Sequence, residues 1–128
     1  SDDACALNTV FYRVLIHPLR FVARKHGYAL TVHGSLGEDI DLVAVPWRTH
    51  CTSQEAVADD IRRTTEAIIG TARMRSCDPN PMKKPCGRLA WSFYLGPEGC
   101  DAPYIDLSVM PEMPEPLVPA STASESKC

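Results

Sequence analysis

The chain has 128 residues, of which 13 are Lys or Arg and 16 are Asp or Glu, giving a formal net charge of −3. That length suits one domain with a real core, and the lack of a long basic run excludes a broad duplex nucleic-acid surface, though not a small nucleotide arriving with its own cations. No stretch approaches the roughly twenty apolar residues of a membrane span, and the opening SDDACALN lacks a secretory signal's basic-then-apolar layout, so the expectation is a cytoplasmic protein with no membrane partner.

Apolar residues at Leu7, Val10, Phe11, Val14, Leu15, Phe21 and Val22 follow helical spacing and predict a helix over 7–26, with Asn8 or Asp3 as its cap and Gly27 as its stop. Pro18 lies inside it, where a missing donor and a ring clash predict a kink or break. YALTVH, residues 28–33, and DIDLVAV, residues 39–45, have strand composition and are joined through GSLGE. A second amphipathic helix runs from Thr52 or Ser53 as N-cap to Gly70, with Asp59, Asp60, Arg62, Arg63 and Glu66 on its solvated face. SCDPNPMKKP, residues 76–85, reads as a loop, and strands follow at 88–95 and 104–109. The order α-β-β-α-β-β predicts an α+β domain over 1–110, a small mixed or antiparallel sheet covered by helices. The tail, 111–128, is rich in Pro and Ser and poor in apolar side chains, and is expected to be extended or disordered. The six cysteines are dispersed, so free thiols are expected, with a bridge among Cys77, Cys86 and Cys100 as the other reading.

The chemistry concentrates in HGSLGEDIDLVAV. Side chains alternate along a strand, so Asp39 and Asp41 share one face with Cα atoms roughly 6.6 Å apart, within reach of one metal ion. Asp106 stands in YIDLSV in the same apolar-Asp-apolar setting. Three carboxylates converging from adjacent strands repel one another unless cations lie between them, and such hard oxygen ligands suit Mg²⁺ or Mn²⁺. Two such ions can clamp the entering and leaving oxygens of a phosphoryl transfer. Gly34 lets backbone approach a ligand closely, and the Ser35 hydroxyl with free amides of a tight turn makes a phosphate cradle. The competing reading is that all three acids merely face water, in which case they do not converge.

HGSLGEDIDLVAV and YIDLSV resemble the nucleotidyltransferase superfamily that includes polymerase beta and the minimal nucleotidyltransferases of toxin–antitoxin pairs. The similarity spans roughly residues 7–110. It implies that Gly34 and Ser35 hold a nucleoside triphosphate, that Asp39 and Asp41 bind metal, and that Asp106 completes the site and assists an attacking hydroxyl of a protein, RNA or small molecule. The same segments, with GRLAWSFYLG, also resemble short uncharacterised bacteriophage proteins, which implies a host-cytoplasmic setting. One departure from the family pattern concerns the phosphate site. Only Leu36, Gly37 and Glu38 separate Gly-Ser from D-x-D, too few for the helical turn usual there. Turn amides then replace a helix end, or the chain binds a nucleotide without turning it over. A catalytically silent binding protein, its tail docking on a partner, is the alternative from a different class.

His33 abuts the Gly-Ser turn and can bond a phosphate or act as a base. Alternation in 88–95 puts Arg88, Ala90, Ser92 and Tyr94 on one face, so Arg88 and Ser92 border the acids if this strand lies between the two acidic ones. Lys83 and Lys84 are weaker candidates for a phosphate. Trp47 and Trp91 read as packing residues, with Trp47 near enough to the acids to flank a base. His17, His26 and the His50–Cys51 pair lack the spacing of a metal site.

Overall fold

The protein is described by a computed structural model, in which residues 2–37, 39–74, 81–96 and 103–112 are placed. Glu38, residues 75–80 and 97–102, and the tail from 113 lie outside the described residues, and with them Cys77, Cys100 and Cys128.

Helix α1 (Asp2–Lys25) continues through Pro18, so of the kink or break expected there the break is absent. The proline deprives the Val14 carbonyl of its amide partner, but Val14 is 48% exposed and Pro18 half-buried, so water reaches the freed acceptor. The same helix corrects the predicted core. Leu15, Ile16, Leu19, Val22 and Ala23 are buried, whereas Leu7, Val10, Val14 and Phe21 face outward. Because α1 has apolar residues on two sides, periodicity alone could not say which side meets the sheet. Asn8 lies well inside the helix, and so is no cap.

Gly27, at φ 92°, turns the chain into β1 (Tyr28–His33), which pairs antiparallel with β2 (Ile40–Pro46). Helix α2 (Gln54–Ile69) has the predicted caps: Ser53 accepts from the Ala56 amide, and Gly70 is left-handed. Two short strands appear where a loop was expected or where nothing was read, β3 (Arg73–Met74) and β4 (Met82–Lys83). Then come β5 (Leu89–Tyr94) and β6 (Tyr104–Val109). The sheet order is β1-β2-β6-β5-β3, with β4 also on β5. The sheet is mixed: β2 and β6 are parallel and every other pairing is antiparallel.

One face of the sheet carries Leu30, Ile40, Leu42, Trp91, Phe93, Ile105 and Leu107, all buried in one cluster with the inner sides of α1 and α2. The α+β architecture with helices covering a mixed sheet is as expected. Gln54, at the start of α2, donates to the carbonyls of Gly87 (2.9 Å) and Val109 (2.8 Å), tying the helix to the start of β5 and the end of β6. Cys51 is a free thiol, but Cys86 is disulfide-bonded, which corrects the expectation of free thiols throughout. No helix among the described residues is long and apolar enough to cross a membrane.

Candidate metal and nucleotide site

Parallel pairing of β2 with β6 sets Asp41 opposite Asp106 in register. Asp39 precedes β2 by one residue and shares the parity of Asp41, so both project on the sheet face opposite the apolar cluster. Each of the three half-buried carboxyls offers an oxygen within 4.8 Å of the others'. The acids therefore converge, against the reading in which they face water independently.

Burial and crowding together raise the proton affinity of Asp41. Its carboxyl is pushed up to about 6, first by burial, then by a hydrogen bond with Asp39 and the negative charges of Asp39 and Asp106, with His33 acting in the opposite direction. A half-buried cluster whose proton affinity is raised in this way, built only of hard oxygen donors, fits a divalent cation such as Mg²⁺ or Mn²⁺.

The turn after β1 borders the same acids. His33 is the antiparallel partner of Asp41. Gly34 has φ 82°, which favours glycine, and a Cβ there would stand in van der Waals contact with Asp41 Oδ2, at 3.4 Å. Ser35 is exposed, its Oγ 3.3 Å from where a Gly37 Cβ would lie. Leu36 is left-handed at φ 64°. Its carbonyl accepts from Asn8 Nδ2 at 3.0 Å, and Asn8 is 1% exposed with its own Oδ1 unpartnered among the described residues. Asn8 was missed as a site residue. Its polar side chain on the side of α1 that carries Leu15, Leu19 and Val22 was the available signal.

Ser92 is directly opposite Asp106 and donates to its Oδ1 at 3.3 Å, as the face assignment anticipated. The two acidic strands are themselves neighbours, however, and β5 flanks β6 instead of separating them. Arg88 consequently reaches Ser108 Oγ (2.9 Å), one pleat repeat beyond Asp106, and is not among the acids. Tyr94 and Tyr104, two residues from Ser92 and Asp106, meet edge to face at 6.1 Å on this face of the sheet. Trp47 follows the far end of β2, about 20 Å from Asp41 along the strand, and is 58% exposed; it cannot flank a base held at the acids.

Comparison of the sequence with protein-family models and with curated proteins gave no match. The fold does match solved structures. Cid1 poly(U) polymerase with bound MgGTP is similar at TM-score 0.50 and 12% identity, over 85% of this chain and 33% of that one. Its MgATP-bound mutant form gives the same values. A cytoplasmic RNA terminal U-transferase follows at TM-score 0.47 and 14% identity, over 85% and 31%. The chain thus spans about a third of the length of these structures, and it shares the fold of the matched part of the poly(U) polymerase.

Proposed function

We propose that this chain binds a nucleoside triphosphate together with Mg²⁺ or Mn²⁺ and transfers its nucleotidyl group to a hydroxyl acceptor. The observation carrying this reading is the convergence of Asp39, Asp41 and Asp106 beside the Gly34–Ser35 turn. Likeness of fold to a nucleotide-bound poly(U) polymerase supports it.

Asp39, Asp41 and Asp106 would hold the metal, which when bound offsets phosphate charge and lowers the pKa of a nearby hydroxyl. Gly34 and Ser35 cradle the phosphates through turn amides and the serine hydroxyl, with His33 beside them as a further donor. Asp106, oriented by Ser92, accepts the acceptor's proton. The acceptor oxygen then bonds to the α-phosphorus as the bond to the bridging oxygen breaks, and pyrophosphate leaves along the turn. Arg88 bears on the site only through Ser108, so it positions the face and leaves the phosphates to the turn.

Binding without turnover is the second reading, favoured by the short turn. The described residues between β1 and β2 form no helix whose N-terminus would face a phosphate. Thermal shift with each nucleoside triphosphate, with and without Mg²⁺ or Mn²⁺, tests the common part. Stabilisation that needs both and vanishes in Asp41→Asn supports the site, while no shift under any combination rejects it. Release of pyrophosphate with an acceptor separates transfer from silent binding.

A further inference from the structure

Between Asp3 and Glu38 the sequence holds no acidic residue, although the whole chain is net negative. Arg13, His17, Arg20 and Arg24 recur at spacings of four, three and four along α1, which places them on one side of the helix over about 16 Å. No ion pair involves any of these arginines among the described residues; the ion pairs there join His26 to Asp60 and link charges within α2.

This basic side lies beside the outer edge of the sheet. Arg20 Nε donates to the Leu30 carbonyl of β1 at 3.1 Å, and Asn8 to the Leu36 carbonyl, so α1 runs antiparallel to β1. At the far end Arg48 donates to the Arg24 carbonyl at 2.6 Å and stacks its guanidinium 5.0 Å from the centre of the exposed Trp47 ring. Trp47 separates two hollows. One, of about 360 Å³, is lined by Arg20, Arg24 and the start of β1; the other, of about 390 Å³, by Arg48, Thr49 and His50.

We propose that this edge is a track for single-stranded nucleic acid, which stacks a base on Trp47, lays its phosphates on Arg24, Arg20 and Arg13, and runs toward the acid cluster. Cations at short intervals suit a polyphosphate backbone, and an exposed indole flanked by hollows suits an unpaired base, whose faces are buried in a duplex. A duplex would also need a wider basic surface than this single strip. A membrane would meet the convex crest of α1, where Leu7, Val10, Val14 and Phe21 stand, and not the recess beside β1. From Trp47, where the base stacks, to Asp41 the strand advances about 20 Å, so three or four nucleotides span the distance. As the acceptor path of a nucleotidyl transfer, the track rests on the function proposed above; as a binding surface it is tested separately.

The test is fluorescence polarisation of labelled twelve-nucleotide oligouridylate and oligothymidylate at 50 and 200 mM salt in EDTA, using the whole chain. Both strands are expected to bind, more weakly at the higher salt, and the oligouridylate to oligothymidylate ratio reads whether the sugar matters. Arg13→Glu with Arg24→Glu should weaken binding at least tenfold and flatten the salt dependence, each lost phosphate contact removing about 0.7 from the logarithmic slope. Trp47→Leu should weaken it at least fivefold and Trp47→Phe much less, with far-ultraviolet circular dichroism unchanged in all variants. The proposal is overturned by absence of binding, by binding that survives the folded double charge reversal, or by equal or tighter binding of a duplex, polyglutamate or phosphatidylserine vesicles. Strand binding without metal-dependent nucleotide binding would remove the proposed function and leave the track; the converse pattern would remove the track alone.

Discussion

Asp41 and Asp106 sit opposite each other on adjacent parallel strands, each with its carboxyl among two others and no cation of the chain's own interposed among the described residues. Removing one charge should relieve the others. Asp106→Asn is expected to raise the stability of the metal-free protein by up to about 1 kcal/mol, while abolishing stabilisation by Mn²⁺. Melting curves with EDTA and with Mn²⁺ measure both effects; a destabilised metal-free variant would show that the acids do not strain the fold.

The same crowding sets a pH dependence. A carboxyl at about 6 in the folded chain against 3.8 unfolded binds its proton more tightly when folded. Its contribution to stability is therefore full below about pH 4 and lost as pH rises through 6. The metal-free melting temperature should fall across that interval, a component missing from Asp41→Asn. Excess Mn²⁺ should reverse the slope, because metal binding takes the deprotonated form.

Gly34→Ala confronts a left-handed φ of 82° and places a methyl 3.4 Å from Asp41 Oδ2. A loss of about 1–2 kcal/mol is expected from the backbone alone. The corresponding Gly70→Ala, also left-handed but with nothing within 4 Å, should cost a similar amount of stability and leave metal-dependent nucleotide binding intact, so the pair isolates the site effect. Equal nucleotide affinity in the two variants would count against a close approach at Gly34.

Asn8 holds the turn from beneath through the Leu36 carbonyl. Asn8→Ala should cost about 1–3 kcal/mol, because a part-buried acceptor loses its donor. Nucleotide affinity should fall further than this destabilisation explains, since Leu36 is no longer fixed in its left-handed conformation. Comparing affinities well below the melting temperature separates positioning from unfolding.

His26 joins the two helices at the other end of the molecule, with Nε2 2.8 Å from Asp60 Oδ2 and Nδ1 2.7 Å from Thr52 Oγ1. The His26 hydrogen bond holds the Asp60 carboxyl below its usual range, so its contribution is present above about pH 4 and disappears as pH falls through the depressed value. Asp60→Asn should cost ~1 kcal/mol at pH 7 and nothing in strong acid, read by denaturant titration at both pH values.

What could be read from the sequence was whatever local chemistry decides. Ser53 and Gly70 bound α2 because capping depends on one side chain and one φ, and the alternation around Asp41 and Asp106 fixed their face before their neighbours were known. Properties that depend on a partner could not be read. β3 and β4 are two residues each and exist through pairing with β5. The helix is unbroken at Pro18 because the proline's penalty falls on a carbonyl that solvent can serve. Asn8 was taken for a cap since only the folded loop reveals its acceptor, and Trp47 seemed near the acids because closeness in sequence hid the length of an extended strand.

The parallel pairing of β2 and β6 also orders events in time. The strands cannot be joined by a hairpin, and between Asp41 and Asp106 the chain passes through α2 and β5 before returning. A ribosome must therefore release nearly the whole domain before the third acid reaches the other two. The acid cluster is therefore among the last features of the fold to close: a chain ending before Tyr104 carries Asp39 and Asp41 but lacks the strand that brings Asp106 to them.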